Sequence, residues 1–117
     1  MPHATMDRAM QECTANCQEC ARSCLETARH CLEMGGEHAA AAHIATLLDC
    51  AEICTTSADF MARGSELSPR VCEVCAEACE VCAEACERFP DDETMRRCAE
   101  ICRRTAESCR QMVEAAA

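Results

Sequence analysis

The stretch from 72 to 86 reads CEVCAEACEVCAEAC, five cysteines spaced three, four, three and four residues apart. Thiols at that density can simply pack as small buried hydrophobes, pair as disulfides, or hold soft metal ions as thiolates. The spacing recurs along the chain. Cys13, Cys17, Cys20, Cys24 and Cys31 form one run, Cys50 and Cys54 a second, Cys72, Cys75, Cys79, Cys82 and Cys86 a third, and Cys98, Cys102 and Cys109 a fourth. Steps of three and four residues return a side chain to one face of an α-helix, so each run predicts a stripe of sulfur along one helix.

The elements that must carry these stripes follow from the breaks between them. Gly35-Gly36, the segment from Gly64 to Pro69, and Pro90-Asp91-Asp92 are helix stops and starts. Four helices result, at about 4–34, 37–62, 68–88 and 92–115, and no β-branched run offers a strand. Short connections make sequential neighbours antiparallel, so the expected fold is all-α, an up-down-up-down four-helix bundle formed by residues 1–117 as one domain. In the third helix the cysteines span an arc of roughly 80° while Glu73, Glu77, Glu80, Glu84 and Glu87 fall on the far side. Thiols therefore face inward and carboxylates outward, with Thr27, Ala28, Ser57 and Thr105 keeping the stripe's register where cysteine is missing. On the surface, Glu100 and Arg104 are spaced to pair at i, i+4. Val71, Val74, Ala78, Val81 and Ala85 form a second apolar flank, suited either to a neighbouring helix or to another subunit.

Leu, Ile, Val and Phe together number 14, against 22 Ala, 15 Cys and 7 Met, so sulfur must supply much of the core. Cysteine buries less apolar area than leucine, and a thiol core gives up burial energy at every position. Plain packing therefore does not account for fifteen of them. Disulfides fit poorly: the count is odd, no basic-then-apolar leader is visible, and i, i+4 pairs on one helix sit at the edge of disulfide geometry. A cytoplasmic chain with reduced thiols is the expectation. No segment approaches a membrane span, and a formal charge of −10 disfavours nucleic acid and anionic membranes as partners.

Metal binding remains. Zinc sites and iron–sulfur clusters are usually held by cysteines on turns and loops, whereas these lie on long helices. Thiolate and thioether sulfur select Cu(I), which accepts two or three such ligands. Each Cu⁺ that replaces a thiol proton leaves the core neutral, while a divalent ion on four thiolates leaves two buried negative charges. Many ions per chain are then tolerable, and storage or buffering of Cu(I) is the expected function. Two alternatives stay open: a detoxifying sequestrant of zinc, cadmium or mercury, and an iron–sulfur electron-transfer protein. No open coordination position beside a catalytic acid or base is visible, so no enzymatic activity is expected. Following the antiparallel path, Met6, Met10, Met61 and Met112 gather at one end as candidate portal ligands, with Met34, His43 and Met95 near the other. His43 is a further candidate ligand; His3, His30 and His38 receive no role, and no histidine is expected amid the thiols of the inward stripe.

These residues resemble the bacterial four-helix-bundle copper storage proteins. The likeness rests on the C-x3-C pairs Cys13/Cys17, Cys20/Cys24, Cys50/Cys54, Cys75/Cys79, Cys82/Cys86 and Cys98/Cys102, with Met or His at the mouths, and spans nearly the whole chain. In the absence of an export signal it is the cytosolic branch that the chain resembles. The resemblance implies multiple Cu(I) ions held by the cysteines, no catalytic turnover, and a homotetramer that fills from one open end. A copper chaperone is a candidate delivery partner.

Overall fold

A computed structural model describes residues 7–116; Met6, and the start expected for the first helix near residue 4, lie outside the described residues. Four α-helices account for nearly all of it: α1, Arg8–Met34; α2, Ala41–Ala62; α3, Ser68–Glu87; α4, Glu93–Ala116. The boundaries have local causes. Asp7 caps α1, its carboxylate accepting the Met10 amide at 2.8 Å, and Gly35 ends it at φ 73°, a left-handed angle that costs glycine nothing. The second helix was expected from residue 37, but Gly36–Ala39 wind instead as one 3₁₀ turn before α2 begins. Pro69 sits in the first turn of α3, where its missing N–H costs no bond. Asp92 caps α4 by accepting the Met95 amide at 3.2 Å.

Cross-helix contacts show the topology. Cys13 meets Cys109 and Cys24 meets Cys98, so α1 and α4 run antiparallel. Cys20 meets Cys50 while Cys31 meets His43, and Cys54 meets Cys75 while Cys50 meets Cys79, giving the same sense to α1 with α2 and α2 with α3. Glu80 pairs with Arg110 and Glu87 with Arg103, which closes α3 against α4. The result is a four-sided rod, 52 × 19 × 18 Å. Its axis is lined by sulfur: all fifteen cysteines are completely buried and all are free thiols.

The outer surface is solvated as the glutamate arc predicts, but apart from Arg29–Glu33 within α1 its arginine–glutamate pairs among the described residues cross between helices. Arg104 reaches Glu19 on α1 in place of the expected partner Glu100 one turn away, because the antiparallel packing brings α1 beside it. These pairs are about half exposed and contribute little each. The apolar flank of α3 divides: Ala85 is buried in the bundle, whereas Val74 and Val81 stand about half exposed. Among the described residues no helix is long and apolar enough to cross a membrane.

Candidate metal centre

Each stripe meets three others at the axis, and the sulfurs form one connected ladder. From the methionine end, Cys13 lies 3.6 Å and Cys17 3.7 Å from Cys109. Cys17 adjoins Cys75 at 4.0 Å, and Cys75 adjoins Cys54 at 3.6 Å. Cys54 links onward to Cys79 at 3.5 Å, and Cys79 to Cys50 at 3.7 Å. Cys20 bridges Cys50 and Cys102, and Cys24 bridges Cys102, Cys98 and Cys82. Cys86 completes that end beside Cys82 and Cys98.

Around a metal–sulfur bond of about 2.3 Å, three ligands in a plane stand about 4.0 Å apart and four in a tetrahedron about 3.8 Å. The ladder spacing suits either. Sharing and charge discriminate. Cys20, Cys50, Cys54 and Cys79 form one four-sulfur group, Cys20, Cys24, Cys50 and Cys102 a second, and Cys24, Cys82, Cys98 and Cys102 a third. Every group shares ligands with the next, so the sites form a bridged chain and not a set of closed tetrahedra. The buried polar residues among those described are Thr14, Thr27, His43, Ser57, Ser68 and Thr105. None is a permanent cation that could offset the surplus negative charge of divalent ions on thiolates.

Proton affinities are unequal along the ladder. Cys17 is lowered to about 6 by hydrogen bonding from Cys109 and then from Cys13. Cys50 is lowered by Cys102 and Cys20, and Cys98 by Cys102 and Cys24, whereas Cys54, Cys102 and Cys109 are raised because they donate to such neighbours. Some thiols thus give up their protons more readily than others, as expected where S–H groups of neighbouring cysteines support a thiolate.

The two ends differ. At one, Met10, Met61 and Met112 line an open cavity with Cys72 at its floor. The Met61 thioether accepts from the Cys72 thiol at 3.7 Å, and Ser57 lies 3.5 Å from the same sulfur. The structure thus gathers three of the four expected portal methionines, and the fourth, Met6, falls outside the described residues. At the other end Cys31 stands apart from the ladder. Its sulfur lies 3.5 Å from His43 Nε2 and 3.4 Å from the Met95 thioether. His43, the candidate ligand of the sequence, is thus brought to the end of the inward stripe, where no histidine was expected amid the thiols. Met95, set near this end by the sequence but not counted as a ligand, is fully buried there; its position three residues before Cys98, in register with the α4 stripe, was the signal. Met34, grouped with them in the sequence, points out and is half exposed.

Cys31 donates to the Met95 thioether and also lies against His43 Nε2, which donates to or accepts from its sulfur according to the imidazole tautomer. A soft cation among thiolate, imidazole and thioether would satisfy all three. Burial, then the nearby Arg88 charge, lowers the His43 pKa, which keeps the imidazole neutral and able to ligate. Burial, then the negative charge of Asp92, pushes the Cys31 thiol up to about 11. A metal at Cys31 must displace a proton held throughout the neutral range. Its apparent affinity is expected to rise about tenfold per pH unit there, and that contribution is expected to vanish when Cys31 is removed. Competition titrations of wild type and Cys31→Ser at about pH 6.5 and 8.5 would check this; an ion lost with Cys31 whose affinity is the same at both pH values would refute it.

Comparison with known proteins points the same way. A family model described as copper storage protein matches residues 6–114. A Nitrosospira multiformis protein of known structure is 46% identical, with 94% of this chain and 99% of that one covered and a TM-score of 0.88. A cytosolic copper storage protein from Streptomyces lividans, solved with five coppers, is 31% identical, with 91% and 92% covered and a TM-score of 0.82. The Cu(I)-bound copper storage protein BsCsp3 is 29% identical, with 91% and 99% covered and a TM-score of 0.84. No curated protein matched the sequence. With its four-helix frame and continuous thiol axis, the chain belongs to the copper storage protein family.

Proposed function

We propose that this protein stores many Cu(I) ions along the axis of its bundle, as one domain over residues 1–117, without catalytic turnover. The observation that carries this reading is the set of fifteen buried thiols, all but Cys31 joined in one continuous, mutually shared ladder, in a core with no permanent charge among the described residues. All fifteen cysteines serve as ligands, and Cys31, His43 and Met95 form a separate mixed site. The cytoplasm, where thiols stay reduced, is the fitting compartment. The exposed Val74, Val81 and Leu48 support assembly into a homotetramer, as does the resemblance.

Anaerobic titration of the reduced protein with Cu(I) against a competing chelator tests the reading. Uptake approaching one Cu(I) per cysteine is expected. Saturation at one or two ions, or tight binding of about one divalent ion per four thiols in preference to Cu(I), would overturn it.

Met10, Met61 and Met112, with Met6, act as the portal, because thioethers bind Cu(I) more weakly than thiolates and can pass it to Cys72. Met10 and Met112 are partly exposed while Met61 is buried, which gives a route from solvent to sulfur. A Met10→Leu/Met112→Leu variant is expected to load severalfold more slowly in stopped-flow mixing, with the same final capacity. An unchanged rate would place the portal elsewhere.

A further inference from the structure

We propose that His30, His38 and Asp92 form a second cation site, outside the thiol core, that takes a divalent first-row transition ion. His30 lies on the last turns of α1, His38 in the 3₁₀ turn that follows, and Asp92 at the head of α4. Three separate elements thus deliver two imidazoles and a carboxylate to one point. His30 Nε2 lies 2.8 Å and His38 Nε2 3.0 Å from the same oxygen, Asp92 Oδ2. The other oxygen, Oδ1, is engaged in the α4 cap, which fixes the direction of the carboxylate. The His38 ring is held against Phe89, with centroids 4.2 Å apart.

The chemistry of this set differs from that of the core. Imidazole and carboxylate suit zinc, copper(II) and nickel, whereas Cu(I) seeks sulfur. Bonds of about 2.0–2.1 Å to such an ion put neighbouring tetrahedral ligands about 3.3–3.4 Å apart. The observed separations need open by only a few tenths of an ångström. In the metal-free state each imidazole holds a proton at Nε2 to donate to Asp92. To ligate, Nε2 gives up that proton and the ring carries its remaining proton at Nδ1. The three side chains are 14–29% exposed, pre-positioned yet reachable from solvent. They border an open cleft that also holds Asp91, which adds negative charge, and Arg88, which opposes it. The cleft leaves room for water to complete the coordination.

This site does not depend on Cu(I) storage, and its test does not either. Co²⁺ added to the reduced full chain distinguishes the two ligand sets, because thiolate ligation brings an intense near-ultraviolet charge-transfer band and N/O ligation only weak visible bands. One Co²⁺ per chain is expected to bind without the charge-transfer band and to shift the ring-proton NMR signals of His30 and His38. His30→Gln and His38→Gln should each weaken that site at least about tenfold. Asp92→Asn, which keeps a capping side chain on α4, should weaken it too. Co²⁺ bound only with the thiolate band, or a nitrogen/oxygen site of unchanged affinity in the variants, would overturn the proposal. So would variants that lower the melting temperature of a wild type that takes no such ion, since the triad would then be a structural clamp.

Discussion

Full loading with Cu(I) is expected to raise the melting temperature by tens of degrees. The metal-free core contains one fully buried leucine, Leu47, and otherwise consists mainly of cysteine, alanine and two methionines, which bury little area per residue. Stability of the free protein is therefore expected near the low end of the usual range, about 5 kcal/mol. A ligand that binds only the folded state contributes about 2.7 kcal/mol per site when its free concentration is a hundred times its Kd. Three such sites already exceed the stability of the free protein, and each kcal/mol moves the midpoint of a domain this size by about 4 °C. Bridging ions would add cross-links among all four helices. Calorimetry of metal-free and loaded protein under anaerobic conditions measures the shift, and removal by a strong Cu(I) chelator should reverse it. A midpoint that does not move on loading would mean that the ions are not held inside the bundle.

Replacing Cys20, Cys50, Cys54 and Cys79 together by serine is expected to remove at least one Cu(I) per thiol lost and to divide the ladder. Cys54 and Cys79 are the contact between the methionine-end thiols and those toward the histidine end, through the 3.6 Å step to Cys75 and the 3.5 Å step between them. With that group gone, ions entering among the methionines have no shared sulfur on which to cross. The far half, Cys24, Cys82, Cys86, Cys98 and Cys102, should then fill much more slowly than the near half. Serine hydroxyls have a local acceptor available, as Thr105 shows by donating to the Ile101 carbonyl at 2.8 Å. Circular dichroism would confirm that the helices persist, and the single variant Cys54→Ala, which adds no buried polar group, provides a second reading. Uniform filling kinetics and a capacity equal to wild type would show that the thiols act independently of the ladder.

The stripes were legible in the sequence because the α-helical period is a local property. Once Cys72, Cys75, Cys79, Cys82 and Cys86 repeat at three and four residues, they must share a face whatever surrounds them. The breaks at Gly35-Gly36 and Pro90 were equally plain, since glycine and proline act on the backbone at their own positions. Inward-facing cysteine, outward-facing glutamate and the antiparallel order followed from these and the short connections. The chemistry of the core was likewise a matter of composition: fifteen thiols with few aliphatic neighbours point to soft-metal binding before any coordinate is known.

Tertiary structure decided what depends on the distance between helices. Which sulfurs share a site, and that Cys54 joins two halves, follow from the stagger of α2 against α3, set by loop lengths and packing. The separation of Cys31 from the ladder, and the approach of His43 and Met95 to it, depend on the 3₁₀ turn at Gly36–Ala39, which resets where α2 begins. His30 and His38 carried no signal in the sequence, because the residue that unites them, Asp92, is 62 and 54 positions away. Periodicity constrains neighbours within about one helical turn; only packing brings together groups that far apart along the chain, and the triad at the bundle's end exists because three elements terminate at the same place.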